Sequence, residues 1–165
     1  FLVLGFDFLG GVVLHKKGYT IIELVMVISI LGILATVSLP IYRESIAHYR
    51  HSMALRMIVY DIRLIQQKSI SEKKSYKLIF NTNADGANLL HDYWLVYEEN
   101  VFESRQLPDG NHVIETDFEN DTLTFKPSGE PSQGGHITVG DTLGNKSYIV
   151  VAPATGRVKI SDELS

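Results

Sequence analysis

Cysteine is absent from all 165 residues. That one omission removes disulfides, thiolate chemistry and cysteine zinc sites together, so a small exported domain in this chain would stand on packing alone. The compartment stays open on that ground. Also missing are a Walker loop, a dinucleotide fingerprint and a Gly-x-Ser-x-Gly elbow, so no enzyme class is written into the order of residues. Charge is missing altogether from Leu24 to Tyr42. Basic charge is scarce from residue 71 onward, with 8 Lys+Arg against 15 Asp+Glu, whereas residues 43 to 70 hold 5 against 2. The acidic part excludes a surface that grips nucleic acid all over, because phosphate binding needs clustered lysine and arginine. A local basic patch stays open. Internal repeats and low-complexity tracts are absent too.

The dominant presence is the apolar run that ends at Pro40. At 1.5 Å per residue, Tyr19 to Leu39 as a helix is about 30 Å long, the thickness of a hydrocarbon core. Its one acid is Glu23. Lys16 and Lys17 flank the run on one side and Arg43 and Arg50 on the other, so charge counting alone leaves its orientation open. Residues 1 to 14 are apolar but too short to span and are broken by Gly5, Gly10 and Gly11. The expectation is that they are not native structure and that translation starts at Val12, Val13 or Leu14, whose alternative start codons are read as Met.

Tyr19 to about Ile70 reads as one long helix with two characters. It is apolar all round to Leu39; from Arg43 onward Ile46, Tyr49, Met53, Met57, Tyr60 and Leu64 recur at the spacing of an amphipathic stripe. Pro40 predicts a kink or local melting near Leu39. A helix of roughly 50 residues is about 75 Å long, more than a domain of this size needs for its own core. Such a helix serves something outside the domain.

After Ser71 the pattern turns to short runs rich in β-branched and aromatic residues. Strands are expected at Tyr76 to Phe80, Tyr93 to Tyr97, His112 to Glu115, Thr122 to Lys126, His136 to Val139, Lys146 to Val151 and Arg157 to Ile160. Turns fall at 83–86, 107–110, 127–129 and 143–145. The run Tyr148 to Ala152 reads as a central strand covered on both faces. The fold class is therefore α+β, a long N-terminal helix with a membrane-spanning half and an amphipathic half, packed on an antiparallel body. The divisions are 1–18, 19–42, 43–70 and 71–165.

Lys16-Lys17-Gly18-Tyr19-Thr20-Ile21-Ile22-Glu23-Leu24 resembles the class III signal of type IV prepilins and type II secretion pseudopilins. The resemblance implies that a prepilin peptidase cuts after Gly18 and methylates the new N-terminus at Tyr19, where Phe is commoner. It assigns Glu23 to filament assembly, neutralising the terminal amine of a neighbouring subunit. It also makes Gly32 and Pro40 the helix-breaking pair, with melting between them in assembled filaments. The bland reading of Glu23 is a capping box, in which Thr20 caps the helix and Glu23 reaches back to it. A cap contributes about 1 kcal/mol, while a carboxylate in hydrocarbon costs about 3 kcal/mol. The cost exceeds the cap, so a partner or an interfacial position is required. The rival for the whole segment is a secretory signal cleaved near Ala35 to Val37, which an acid in the apolar region fits poorly.

The second half adds a resemblance to the sheet domain of GspH/FimT-type minor pseudopilins. It rests on Thr122-Leu123-Thr124-Phe125 with Pro127 and Gly129, His136 to Val139, Tyr148 to Val151, and the closing Gly156-Arg157-Val158. Lacking cysteine, the chain departs from the many pilins whose terminal loop is closed by a disulfide.

Weaker constellations each have a plain reading. Asn81, Asn83, Asp85, Gly86 and Asp92 fit part of a calcium-loop template, but the first position lacks a carboxylate and no helices flank it, so an ordinary turn is preferred. His48 and His51 have the spacing of a metal pair without a third ligand and read as solvated helix residues. Tyr93, Leu95 and Tyr97 alternate with Trp94 and Val96, which core packing explains without a ligand. Arg157 and Lys159 share a strand face, and some GspH/FimT-type relatives that serve natural transformation bind DNA through basic residues near the C-terminus.

These readings converge on a minor pilin or pseudopilin, a structural subunit and not an enzyme, with no cofactor. It is expected to span the cytoplasmic membrane once, with the β domain on the extracytoplasmic side, before entering a secretion, pilus or DNA-uptake filament. The partners implied are other pilin subunits, prepilin peptidase and membrane lipid. Two further hypotheses stay open: a DNA-binding subunit of an uptake pilus, and a membrane-anchored or secreted β-domain enzyme.

Overall fold

The computed structural model describes residues 20–82, 92–97 and 100–163, without the side chains of 37–40. It separates into two compact units, one ending at Ile41 and one beginning at Tyr42. Helix α1, Ile21–Glu72, runs through both. In the first unit Thr20 caps the helix, its carbonyl accepting from the Leu24 N–H and its hydroxyl from the Glu23 N–H. The apolar side chains from Ile21 to Leu34 are all exposed, and the 18-residue window with mean hydropathy 2.5 has no part buried. That length and composition suit a membrane crossing. The backbone stays helical through Gly32 and Pro40, without the kink or melting that Pro40 led one to expect.

In the second unit α1 lies on two four-stranded antiparallel sheets. Chain order supplies β1 Tyr76–Phe80, β2 Tyr93–Tyr97, β3 Asn100–Arg105, β4 Asn111–Thr116, β5 Thr122–Phe125, β6 Gly135–Asp141, β7 Lys146–Val151 and β8 Val158–Ser161. One sheet has the order β3-β2-β1-β5 and the other β4-β6-β7-β8. Registers such as Leu78 opposite Leu95 and Leu123, and Ile137 opposite Ile149, set the inward residues side by side. A single core joins Ala54, Leu55, Ile58, Ile62 and Ile65 of α1 to the inner faces of both sheets.

Three sequence expectations are corrected here. The face of α1 that enters the core is centred on His51, Ala54, Leu55, Ile58, Asp61, Ile62, Ile65 and Ser69, and of the Ile46-to-Leu64 stripe only Met57 and Leu64 pack against that core, half-buried at its edge. Tyr49, Met53 and Tyr60 of that stripe are 67%, 45% and 63% exposed. Both stripes repeat every three to four residues, but the core stripe is interrupted by polar side chains that only tertiary partners satisfy. Next, β7 is interior in its sheet yet covered on one face only, Val150 being 36% exposed. Lastly, β3 was not foreseen. It is a sheet-edge strand in which Glu103 and Arg105 follow Val101 and Phe102, both of these exposed and Phe102 edge-on to Tyr76; edge strands tolerate such mixed patterns.

The foreseen turns at 107–110, 127–129 and 143–145 are present, with Gly110, Gly129 and Gly144 all at positive φ. Gly156 has a stricter reason. At φ +64°, a Cβ there would lie 2.6 Å from Gln66 Nε2 and 2.9 Å from Phe125 Cε1, so only glycine fits where the last turn closes onto α1.

Candidate functional site

The candidate site is α1 itself, with the contacts that hold its second half and the surfaces they leave uncovered. Tyr19 and Gly18 lie outside the described residues. Glu23 stands exposed in the first turn, where the positive end of the helix dipole favours a carboxylate. Its amide donates to the Thr20 hydroxyl at 3.3 Å, which is the forward half of a capping box.

Three polar contacts clamp α1 to the body. Asp61, fully buried, accepts from the Tyr93 hydroxyl at 2.8 Å and from Arg105 Nε at 2.9 Å. Arg105 also pairs with Glu103. Burial, followed by the nearby Asp61 carboxylate, pushes the Tyr93 phenol far above its ordinary value. The hydrogen bond to Asp61 holds the Arg105 guanidinium firmly in its charged form, against a smaller effect of burial. Further toward the start of the unit, His51 lies between Asn111 Oδ1 at 2.9 Å and Ser147 Oγ at 3.0 Å. His51 is therefore buried, which corrects the reading of it as solvated; His48 is exposed, 3.8 Å from Glu44. Near the far end, Gln66 Nε2 donates to the carbonyls of Gly129 and Thr155. The one signal for these clamps in the sequence is polar residues interrupting an apolar face.

On the opposite side of α1 the stripe Tyr42, Tyr49, Met53 and Tyr60 faces outward. At 100° per residue it runs nearly diametrically opposite the core face, with Arg43 and Arg50 along one border and Arg56 and Arg63 along the other. All four arginines are exposed. An apolar seam between cationic borders has the makings of a protein contact.

The other sequence candidates do not join this site. Asn83, Asp85 and Gly86 of the calcium template lie outside the described residues. Asp92 is buried, and its carboxylate accepts from the Leu107 N–H at 2.7 Å. Among the described residues, no three acids or histidines cluster as a metal site would require. Tyr93 and Leu95 are core residues and Tyr97 packs against them, as core packing foresees. Arg157, just before the edge strand β8, and Lys159, within it, are both exposed.

Comparison with known proteins points the same way. Residues 14–39 match the family described as the prokaryotic N-terminal methylation motif. The chain is 30% identical over 147 residues to the competence protein ComGD of Bacillus subtilis strain 168, covering 88% of this chain and 94% of that protein. Over 42 residues it is 45% identical to the fimbrial protein EcpC of Eikenella corrodens and 48% identical to a fimbrial protein of Moraxella nonliquefaciens. Those two matches cover 26% of this chain and 28% and 27% of the fimbrial proteins. No solved structure matches the chain significantly.

Proposed function

Since the chain belongs to the type IV pilin and pseudopilin family, we propose that it is a minor pilin, processed after Gly18, methylated on Tyr19 and assembled through α1 into an extracytoplasmic filament. The observation that carries this reading is one helix with two unpartnered apolar surfaces, the all-round run from Ile21 to Leu34 and the outward stripe from Tyr42 to Tyr60. The first is compatible with lipid, where the subunit is stored in the cytoplasmic membrane with its body on the extracytoplasmic side. Leaving the bilayer requires that this surface be buried again, and packing against other helices supplies that burial. Glu23 then finds its partner in the terminal amine of a neighbour. Melting between Gly32 and Pro40 accompanies assembly. The stripe gives each subunit a second lateral contact.

The match over nearly the whole of a competence protein supports a competence filament over a secretion filament. In that machine Arg157 and Lys159 are the candidates for a DNA contact. A structural subunit needs no catalytic group, and the relatives are named as competence and fimbrial proteins.

The deciding experiment is sequencing of the mature N-terminus by mass spectrometry. The expected result is a terminal Tyr19 carrying one methyl group. A terminus after Ala35 or Val37 would return the chain to the class of ordinary secreted or anchored domains.

A further inference from the structure

We propose that a groove at the start of the body holds the headgroup of an aminophospholipid, phosphate on Arg43 and Arg50 and ammonium on Asp109. The groove has a volume of about 380 Å³ and lies between α1 and the turns that join β3 to β4 and β6 to β7. Arg43 and Arg50 are two helical turns apart, so both guanidinium groups come from the same side of α1. Neither takes part in an ion pair among the described residues. Facing them are Asp109, exposed at the rim, and Asp141, whose carboxylate is occupied by the Leu143 and Asn145 amides.

The charges select the ligand. Guanidinium forks match phosphate oxygens, but two arginines opposite two aspartates leave the groove with no net charge. Such a groove favours a zwitterion over a bare anion, and a primary ammonium donates hydrogen bonds to Asp109 where a trimethylammonium has none to give. Tyr42 and Leu143, both largely exposed, form an apolar mouth. Tyr42 is also the residue after the apolar segment, so with that segment in a bilayer Tyr42 falls at the headgroup layer, where tyrosine concentrates. The inference rests on the membrane-stored subunit of the preceding section.

The test uses the full chain reconstituted in phosphatidylcholine vesicles with trace spin-labelled lipids, read by electron paramagnetic resonance as the fraction of label immobilised by protein. Spin-labelled phosphatidylethanolamine is expected to be immobilised severalfold more than spin-labelled diacylglycerol, which lacks the phosphate. The pair Arg43→Gln with Arg50→Gln should abolish that preference, Arg50→Lys should retain part of it, and Asp109→Asn should remove the preference for phosphatidylethanolamine over phosphatidylglycerol. Equal immobilisation of phosphatidylethanolamine and diacylglycerol in the unaltered chain overturns the proposal, as does a preference unchanged in the double variant. Loss of the preference on adding inorganic phosphate overturns the lipid assignment and makes the groove a site for soluble phosphate. Alkaline carbonate extraction of native membranes separates the two levels. A chain released by carbonate overturns membrane storage and the headgroup site together, whereas a retained chain without lipid preference overturns the headgroup site alone.

Discussion

Asp61 is a fully buried acid on the face of α1 that enters the core, and its oxygens are committed to the Tyr93 hydroxyl and the Arg105 guanidinium. Removing it leaves a buried hydroxyl without its acceptor and a half-buried cation with Glu103 alone. Asp61→Ala should therefore destabilise the body by about 3 kcal/mol, and Asp61→Asn, which keeps an acceptor oxygen, by less. Urea titration of the detergent-solubilised chain measures both. Asp141 makes a different residue-scale prediction. Burial alone would raise its carboxyl, but the Asn145 side-chain and backbone amides, the Leu143 N–H and the proximity of His51 together hold it below the ordinary value of 3.8. A carboxyl depressed in the folded state stabilises it above the unfolded value, and that stabilisation is lost as pH falls through the lower folded value. The stability gap between the native chain and Asp141→Asn should accordingly close on acidification, in urea titrations repeated from neutral pH down to below the ordinary aspartate range. A constant gap would remove the turn from the acid response.

At the scale of the element, α1 carries two stripes with the same period, and hydrophobicity alone centred the core face on the wrong one, of which only Met57 and Leu64 reach the core. Tyr49, Met53 and Tyr60 are more uniformly apolar than the stripe with His51, Asp61 and Ser69, yet the polar members of the latter meet Asn111, Ser147, Tyr93 and Arg105 from distant strands. The outward stripe is free to act elsewhere. Tyr49→Ser with Tyr60→Ser should leave stability within about 0.5 kcal/mol while lowering the yield of subunit in sheared filaments. Normal filament yield would remove the stripe from assembly. Glu23→Ala tests the other end of the helix: cleavage and membrane insertion are expected to persist while incorporation into filaments falls. Immunoblots of membrane and sheared fractions distinguish these steps, and unchanged incorporation would rule out the assembly role of Glu23.

For the molecule as a whole, residues 71 to 165 are acidic, with 8 Lys+Arg against 15 Asp+Glu, which limits any nucleic-acid contact on the β-sheet body to a small patch. If Arg157 and Lys159 form it, neutralising two phosphates gives a log–log salt slope of about −2. Binding to duplex DNA in low salt should then vanish in Arg157→Ala with Lys159→Ala. Absence of binding in the unaltered chain would remove the contact without touching the filament reading.

Much of this was legible without coordinates because it depends on local order in the chain. The uncharged run, the Lys16-to-Glu23 signal and the Gly and Pro turns each act through neighbours in sequence, and seven of the eight strands among the described residues announced themselves by alternation between such turns. Strand β3 stayed hidden because none of its six residues is fully buried, so Asn100–Arg105 shows no apolar alternation to read. The assignment of the two helix faces, the burial of His51 and Asp61, and the requirement for glycine at 156 were decided only by tertiary structure. Each depends on groups that lie far away along the chain, and a polar residue on an apolar face is ambiguous until its partner is known.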